Sequence, residues 1–285
     1  MKALVATADD VGLHAGLTRG ALEAHDRGIV TAVSVVANGR ALEPALEQLR
    51  DRPSLDAGIH LTLVGERPLS PPEQIPSLLG RDSAFLPDVR DFARRYLLGG
   101  IVASQAEAEL RRQIEHLLAS GLSLVHANSH QHLHVLPRIF EVVLRLAEEY
   151  RIPFVRIPRE PAAIRLAKRS LEIAVLNAVG RGARQRLLSQ EKVRTADRTV
   201  GVMDAGRLTF ERLAAILEDV EDAEGVSELV CHPGIGNADL AAAYAWGYGW
   251  EEETAALCNP RLPDLLRSRT IGLTSFSSQL LPARP

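Results

Sequence analysis

With 285 residues, 46% hydrophobic and 24% charged, the chain has ordinary globular composition and enough length to bury a large core. A net charge of -3 sets up no field that would recruit nucleic acid, and two cysteines, Cys231 and Cys258, are too few for a disulfide framework. The opening apolar stretch yields to Thr7 and Asp9 too early for a signal peptide, and no run of about 18 apolar residues occurs, so a soluble cytoplasmic protein is expected.

Short apolar runs alternate with helical ones, which predicts an α/β protein with parallel strands. A strand over Ala3–Ala8 leads to a helix over Gly16–Arg27 that ends near Gly28. A strand over Ala32–Ala37, a helix over Leu42–Leu49 and a strand over Ala57–Leu63 follow. Pro68–Pro76 and Pro87 then mark a long loop, a kind that often carries function. A helix over Gln105–Leu118, stopped by Gly121, precedes a strand over Leu122–Ala127. Pro137 opens a helix to Tyr150, where its missing N–H costs nothing, and a strand over Phe154–Ile157 comes next.

Ile164–Arg198 stands apart, with Arg165, Lys168, Arg169, Arg181, Arg184, Arg186, Lys192, Arg194 and Arg198 interleaved with apolar residues. It is expected to be a helical excursion, its basic face either solvated or set against an anionic membrane lipid. A helix over Thr209–Leu217, a strand over Glu228–Cys231, a helix over Glu251–Leu257 and a strand over Thr270–Phe276 complete the chain. Length alone allows two domains, but β/α barrels of about 250 residues commonly form one.

Asp9-Asp10 ends the first strand. Neighbours on a strand point to opposite faces, so the two carboxylates share a site only if the chain turns there, which Gly12 makes plausible; an N-cap on the next helix is the plainer alternative. His60 sits inside an apolar strand, where a hydrogen-bonded core histidine is commoner than a ligand. His126, His130, His132 and His134 crowd nine residues at even positions, so while the chain stays extended they share a face with Asn128. Clustered imidazoles make good divalent-metal ligands, with some left to bind substrate or orient the ligands.

Cys231-His232 ends a strand before Pro233-Gly234; alternation turns His232 toward a site and Cys231 away, which argues against a nucleophilic pair. Arg156 ends another strand, placed to hold Asp9 ionised or to make an ordinary salt bridge. Tyr244, Trp246, Tyr248 and Trp250 alternate, suiting either a sugar platform or a packed hairpin. Together, Asp9, Asp10, His60, His130, Arg156 and His232 fall at or just beyond five strand ends, which in a β/α barrel form one rim, where active sites sit.

Taken with Gly28–Thr31, Asn38-Gly39, Gly58–Leu63, Asn128–Pro137 and Thr270–Phe276, the Thr7–Gly12 and Cys231–Gly234 segments resemble the YdjC-like carbohydrate deacetylases. That group includes chito-oligosaccharide and hopanoid-associated deacetylases. The resemblance implies a single-domain distorted β/α barrel, one divalent metal (Mg²⁺ or Zn²⁺), hydrolysis of an N-acetylated amino sugar, and a homodimer. It also implies Asp10, His60 and His130 as metal ligands, Asp9 as base and His232 as general acid. Asn128, His132, His134, Arg156, Trp246 and Trp250 are then expected to bind substrate or support the ligands. Asn128 stands where the family usually has aspartate. Val155–Pro161 and the basic segment are more like the hopanoid-associated branch.

In that chemistry the metal polarises the acetyl oxygen and acidifies a water, Asp9 takes the proton, and His232 protonates the departing amine. Two rivals remain at this level. A metal-dependent phosphoesterase or nuclease on the same fold would usually carry more carboxylates, and a non-catalytic sugar- or lipid-binding protein would not need paired aspartates beside three histidine motifs.

Overall fold

The computed structural model describes residues 2–158, 170–190, 192–222 and 224–280. Its strands are β1 (Lys2–Val11), β2 (Ala32–Val35), β3 (Asp56–Leu61), β4 (Leu124–Ser129), β5 (Phe154–Val155), β6 (Arg198–Val200), β7 (Gly225–Cys231) and β8 (Ile271–Leu273). Helices α1 (Ala15–Asp26) and α2 (Leu42–Arg50) follow the first two strands. After β3 come α3 (Val89–Leu97) and α4 (Ala103–Ala119), and after β4 comes α5 (Pro137–Glu149). The later helices are α6 (Ser170–Leu188), α7 (Phe210–Glu221), α8 (Asn237–Ala243), α9 (Trp250–Leu257) and α10 (Leu262–Ser268).

All strand pairs are parallel, in the order β5-β4-β3-β2-β1-β7-β6. β7 runs along one edge of β1 from Lys2 to Ala8. The other edge is shared, with β8 pairing at Lys2–Leu4 and β2 from Thr7 onward. The sheet curls into an incompletely closed barrel, as the alternation of elements led us to expect. Because every strand is parallel, the C-terminal ends share one rim.

Burial explains the strand choice. Leu4, Val5, Ala6 and Ala8 of β1 are wholly buried, as a central parallel strand covered on both faces requires. Gly58 of β3 has no Cβ because the His126 ring of the neighbouring strand lies where one would sit. Behind the sheet, α5 turns Ile139, Phe140, Val143, Leu144, Leu146 and Ala147 inward, with Pro137 at its first turn. Thr209 caps α7, its hydroxyl accepting from Arg212 N–H.

Several elements differ from the sequence expectation. β6 is only three residues long, too short to show a period. The long loop after β3 contains α3, capped by Asp88, whose carboxylate accepts from the N–H groups of Arg90 and Asp91 at 2.8 and 3.0 Å. α8 and α10 are seven-residue helices in stretches for which the sequence reading proposed no element. Of the basic segment, residues 159–169 lie outside the described residues, and α6 supplies the expected helix. Four of its described cations pair within the protein and Arg181 is exposed: Arg186 pairs with Glu141 at 2.6 Å, Lys192 with Glu148 at 3.4 Å, and Arg184 and Arg194 donate to the carbonyls of Ala196 and Gln279. Among the described residues no helix is long and apolar enough to cross a membrane.

One buried device fixes the loop that follows β3. Glu109 and Gln113 of α4 are fully buried. Gln113 accepts from Thr62 N–H at 2.9 Å and donates to Thr62 O at 2.7 Å. The Glu109 carboxylate accepts from the N–H groups of Leu69 and Ser70 at 3.0 and 2.8 Å, and from the Gln113 amide. Backbone groups of residues 62–70 that no strand partners are thereby satisfied from a helix.

Candidate active site

The paired aspartates reach one site because β1 is irregular there. Its register against β2 slips between Ala8 and Val11, and Asp10 adopts the left-handed conformation at φ 66. A bulge of this kind re-aims one side chain, and a non-glycine residue held in that region costs about 1–3 kcal/mol. Gly12, at φ 91, completes the turn. Asp9 and Asp10 are 2% and 1% exposed, so the turn delivers both carboxylates into the barrel mouth, neither of them to solvent.

Asp10, His60 and His130 converge. Asp10 Oδ1 lies 3.3 Å from His60 Nε2 and 3.0 Å from His130 Nδ1, and the three donor atoms all fall within 4.8 Å of one another. Among the described residues this is the one group of three or more His, Cys, Asp or Glu so arranged. Two imidazole nitrogens and a carboxylate oxygen fit a divalent cation of the zinc class and leave positions for water and substrate. Asn128 sets the His60 tautomer: its Oδ1 accepts from His60 Nδ1–H at 2.6 Å, so the Nε2 lone pair faces Asp10. Burial alone would raise Asp10, but His130 and His60 outweigh it and hold the carboxyl well below the usual range. Burial pulls His60 down, and Asp9 and Asp10 more than reverse this, leaving it above its ordinary value.

Asp9 is held by a different set. Its Oδ1 accepts from Ser34 Oγ at 2.8 Å, Arg156 Nη2 at 2.9 Å and Asn128 Nδ2 at 3.2 Å. Its Oδ2 accepts from Arg156 Nη1 at 2.5 Å. Burial opposes ionisation, but Arg156 and His60 dominate and hold Asp9 far below the usual carboxylate range. Arg156, 3% exposed, also donates through Nε to Glu228 Oε1 at 2.9 Å, where Thr7 Oγ1 donates as well. One guanidinium thus spans two buried carboxylates, the geometry that satisfies a buried charge.

The histidine cluster divides as soon as the chain stops being extended. β4 ends at Ser129, and Gln131 and His132 both take φ 56. Only His130 joins the metal group. His134 instead accepts from Ser129 Oγ at 2.6 Å and donates from Nε2 to the Arg156 carbonyl at 2.8 Å. Burial holds it neutral, its pKa pushed down to about 3. His126 lies inside the barrel against Phe276, ring centroids 4.7 Å apart, and is likewise pushed down to about 3, chiefly by burial. Burial also lowers His132, whose ring packs on His134. The expectation that these imidazoles share one face therefore fails beyond His130, for a backbone reason.

His232 stands one residue beyond β7, at the strand end as expected. Its backbone N–H donates to Glu253 Oε2 at 2.7 Å, its ring meets Tyr248 at 5.5 Å, and Nδ1 is buried with no partner among the described residues. It lies close enough to Asp9 to help lower that carboxyl, after Arg156 and His60. Cys231 is wholly buried, with its thiol against Thr7 O and pushed well above normal by burial and Glu253, which agrees with the case against a thiol nucleophile. The aromatic stretch also divides. Trp246 lies 5.3 Å from His130 and stacks on Tyr244 at 4.5 Å, forming a wall of the site. Trp250, 1% exposed, packs with Leu13, Leu17, Val36 and Leu240, so it cannot present a face to a sugar.

The sequence reading missed Ser34, Glu66, Glu228 and Glu253. Only Glu228 carried a signal, as a carboxylate inside the apolar run Val226–Cys231. Glu66 follows β3 and approaches the metal group closely enough to interact electrostatically with both His130 and Asp10. Burial raises its carboxyl, and Arg40, 3.9 Å away, only partly offsets that.

A family model described as YdjC-like protein matches residues 3–268. The chain belongs to the YdjC-like family. It is 30% identical to a carbohydrate deacetylase of Geobacillus stearothermophilus over 95% of this chain and 96% of that one. It is 34% identical to a human carbohydrate deacetylase over 81% of this chain and 74% of the relative. Among solved structures it is similar to a protein of Enterococcus faecalis V583 whose description names cellobiose-phosphate cleavage, with TM-score 0.76, 26% identity and 98% coverage of both chains. An Agrobacterium tumefaciens protein at TM-score 0.53 and 13% identity shares the fold alone.

Proposed function

We propose that this YdjC-like protein is a metal-dependent hydrolase that removes the acetyl group from an N-acetylated amino sugar, either a chito-oligosaccharide or an N-acetylglucosaminyl glycolipid such as a hopanoid headgroup. The observation that carries this reading is the Asp10/His60/His130 group set beside a second aspartate kept ionised by Arg156. The names of the relatives agree with it.

Asp10, His60 and His130 would hold one Zn²⁺ or Mg²⁺. When bound, that ion supplies polarisation of the amide carbonyl and acidification of a water toward a pKa of about 7. Asp9 accepts the proton of the attacking water. Oδ1 is occupied by three donors and Oδ2 by one, so Oδ2 is the oxygen with room for it. A carboxylate held so firmly as an anion is a weak base, which suits a water that is itself acidified. His232 protonates the amine nitrogen as the C–N bond breaks, since an amide anion is too basic to leave unaided. Asn128 and His134 orient His60 and Arg156, and Trp246 offers a face to a sugar ring. Two free cysteines agree with a reducing cytoplasm, and the family resemblance with a homodimer.

The test is acetate release from N-acetylglucosamine oligomers and an N-acetylglucosaminyl lipid, with metal stripped and then restored as Zn²⁺ or Mg²⁺. Asp9→Asn should keep metal and lose turnover by at least a hundredfold, the low end for general base catalysis being about 10². His130→Ala should lose both metal and turnover. Full activity in Asp9→Asn removes the base assignment, and phosphate release without acetate release removes the deacetylase reading.

A further inference from the structure

Glu66 has a side chain only 10% exposed, yet among the described residues no N–H or O–H group donates a hydrogen bond to its carboxylate. Arg40, at 3.9 Å, is beyond hydrogen-bond reach and is itself 84% exposed. Buried carboxylates are ordinarily satisfied, so one left without a donor calls for an explanation. The carboxylate lies close enough to His130 and Asp10 to feel their charges, and Tyr244 in turn feels Glu66, so it stands beside the metal group.

The backbone around Glu66 is held on every side. Gly65 N–H donates to Leu86 O at 2.8 Å, and Glu66 O accepts from Phe85 N–H at 3.0 Å. Arg67 O accepts from Asn38 Nδ2 at 2.8 Å, which ties the loop to the end of β2. The buried Glu109 and Gln113 grip the residues on both flanks. Such a position is costly to build for a side chain with no role, and it is how a ligand-binding group is preorganised.

We infer that Glu66 is a substrate-binding and specificity-determining residue whose carboxylate accepts hydrogen bonds from hydroxyl groups of the amino sugar seated over the metal group. This rests on the proposed sugar-deacetylase reading and adds the contact that would tell a sugar from an acetylated amine without hydroxyls. Sugar hydroxyls are donors that fit a charged, otherwise unsatisfied acceptor, and Trp246, 5.3 Å from His130, offers an apolar face beside the same metal group.

The experiment compares wild type, Glu66→Ala and Glu66→Gln by three measurements. These are the calorimetric Kd for N,N′-diacetylchitobiose, KM and kcat for acetate release from it, and the bound-metal content. Hydrogen bonds to charged groups are worth a factor of about ten or more, so Glu66→Ala should raise both Kd and KM about tenfold. Its kcat should stay within about threefold, and metal content should be unchanged. Glu66→Gln, which keeps an acceptor oxygen, should fall between the two. The inhibition constant of N-acetylcyclohexylamine, which has the amide but no hydroxyls, should not move.

Unaltered sugar affinity in Glu66→Ala overturns the inference while leaving the deacetylase reading intact. Equal losses for sugar and for N-acetylcyclohexylamine, or loss of metal, also overturn it by showing a general effect on the site. Sugar binding that weakens in Glu66→Ala although wild type releases no acetate supports Glu66 and refutes the deacetylase reading. A wild-type protein that binds neither this sugar nor an N-acetylglucosaminyl lipid overturns both.

Discussion

Asn128→Asp keeps the shape of the side chain and exchanges its amide for a carboxyl, and in this chain it should be damaging. The Asn128 amide is spent in both directions. Its Oδ1 accepts from His60, and its Nδ2 donates to Asp9 Oδ1 at 3.2 Å and to Ser34 Oγ at 2.7 Å. Exchanging that nitrogen for a carboxylate oxygen removes two donated bonds, worth about 1 kcal/mol each. It also sets one anionic oxygen 3.2 Å from another. At an effective dielectric of about 20, two unit charges that close repel by about 5 kcal/mol. Arg156 already spends its charge on Asp9 and Glu228, so it can cancel only part of this.

The new carboxyl should therefore keep its proton, with a folded pKa above the unfolded value of about 3.9. A group raised on folding costs nothing while protonated in both states. The penalty begins near pH 4 and grows until pH passes the folded pKa. Urea denaturation of metal-stripped protein should show Asn128→Asp about 1 kcal/mol less stable than wild type near pH 4.5 and about 2–4 kcal/mol less stable at pH 8. A loss that is the same at both pH values, or no loss at pH 8, would refute the donated bond from Asn128 to Asp9 and with it this account of the tautomer of His60.

Two further outcomes follow from the same site and the loop beside it. His60 sits above its ordinary pKa between two aspartates, so protons should compete for its Nε2 from a higher pH than for a free imidazole. Metal occupancy measured against a competing chelator should be full at pH 8 and fall steadily as pH drops to 5.5; a flat profile would place the metal elsewhere. Glu109→Ala strips the N–H groups of Leu69 and Ser70 of their acceptor inside the protein, at a cost of about 2–4 kcal/mol in chemical denaturation. A loss below about 0.5 kcal/mol, the range of ordinary surface substitutions, would show that the clamp is dispensable.

The sequence made the rim of the barrel legible, because strand ends can be read from where an apolar run meets Asp, His or Arg. Asp10, His60 and His130 were placed on the rim that way, at or just beyond strand ends, while their grouping as ligands was implied by the family resemblance. Period-two reasoning also named Asn128, which shares a strand face with the last ligand. It failed at His132 and His134 because periodicity assumes an extended chain, and two consecutive left-handed residues, Gln131 and His132, break it. The turn that brings Asp9 and Asp10 together was expected, but its means was a bulge with Asp10 itself in the strained conformation, in addition to the glycine after it. Glu66, Glu109 and Glu253 were invisible for another reason. An isolated glutamate in a helix or loop reads as a solvated charge, and its burial depends on partners distant in sequence. Trp250 shows the converse case, an aromatic that suited either a sugar platform or a packed hairpin and is core by packing.

β1 is flanked by three strands, with β7 along one edge and β8 and then β2 along the other. Its amides can exchange with solvent only when much of the sheet opens, so it belongs to the cooperative unit whose opening free energy approaches that of global unfolding. The strain at Asp10 is consequently stored on the segment with the least freedom to relax. Fluctuations that loosen the outer loops can let ligands in and out while the two aspartates stay fixed relative to each other, and a protein that has lost their alignment has, by the same token, lost its native fold.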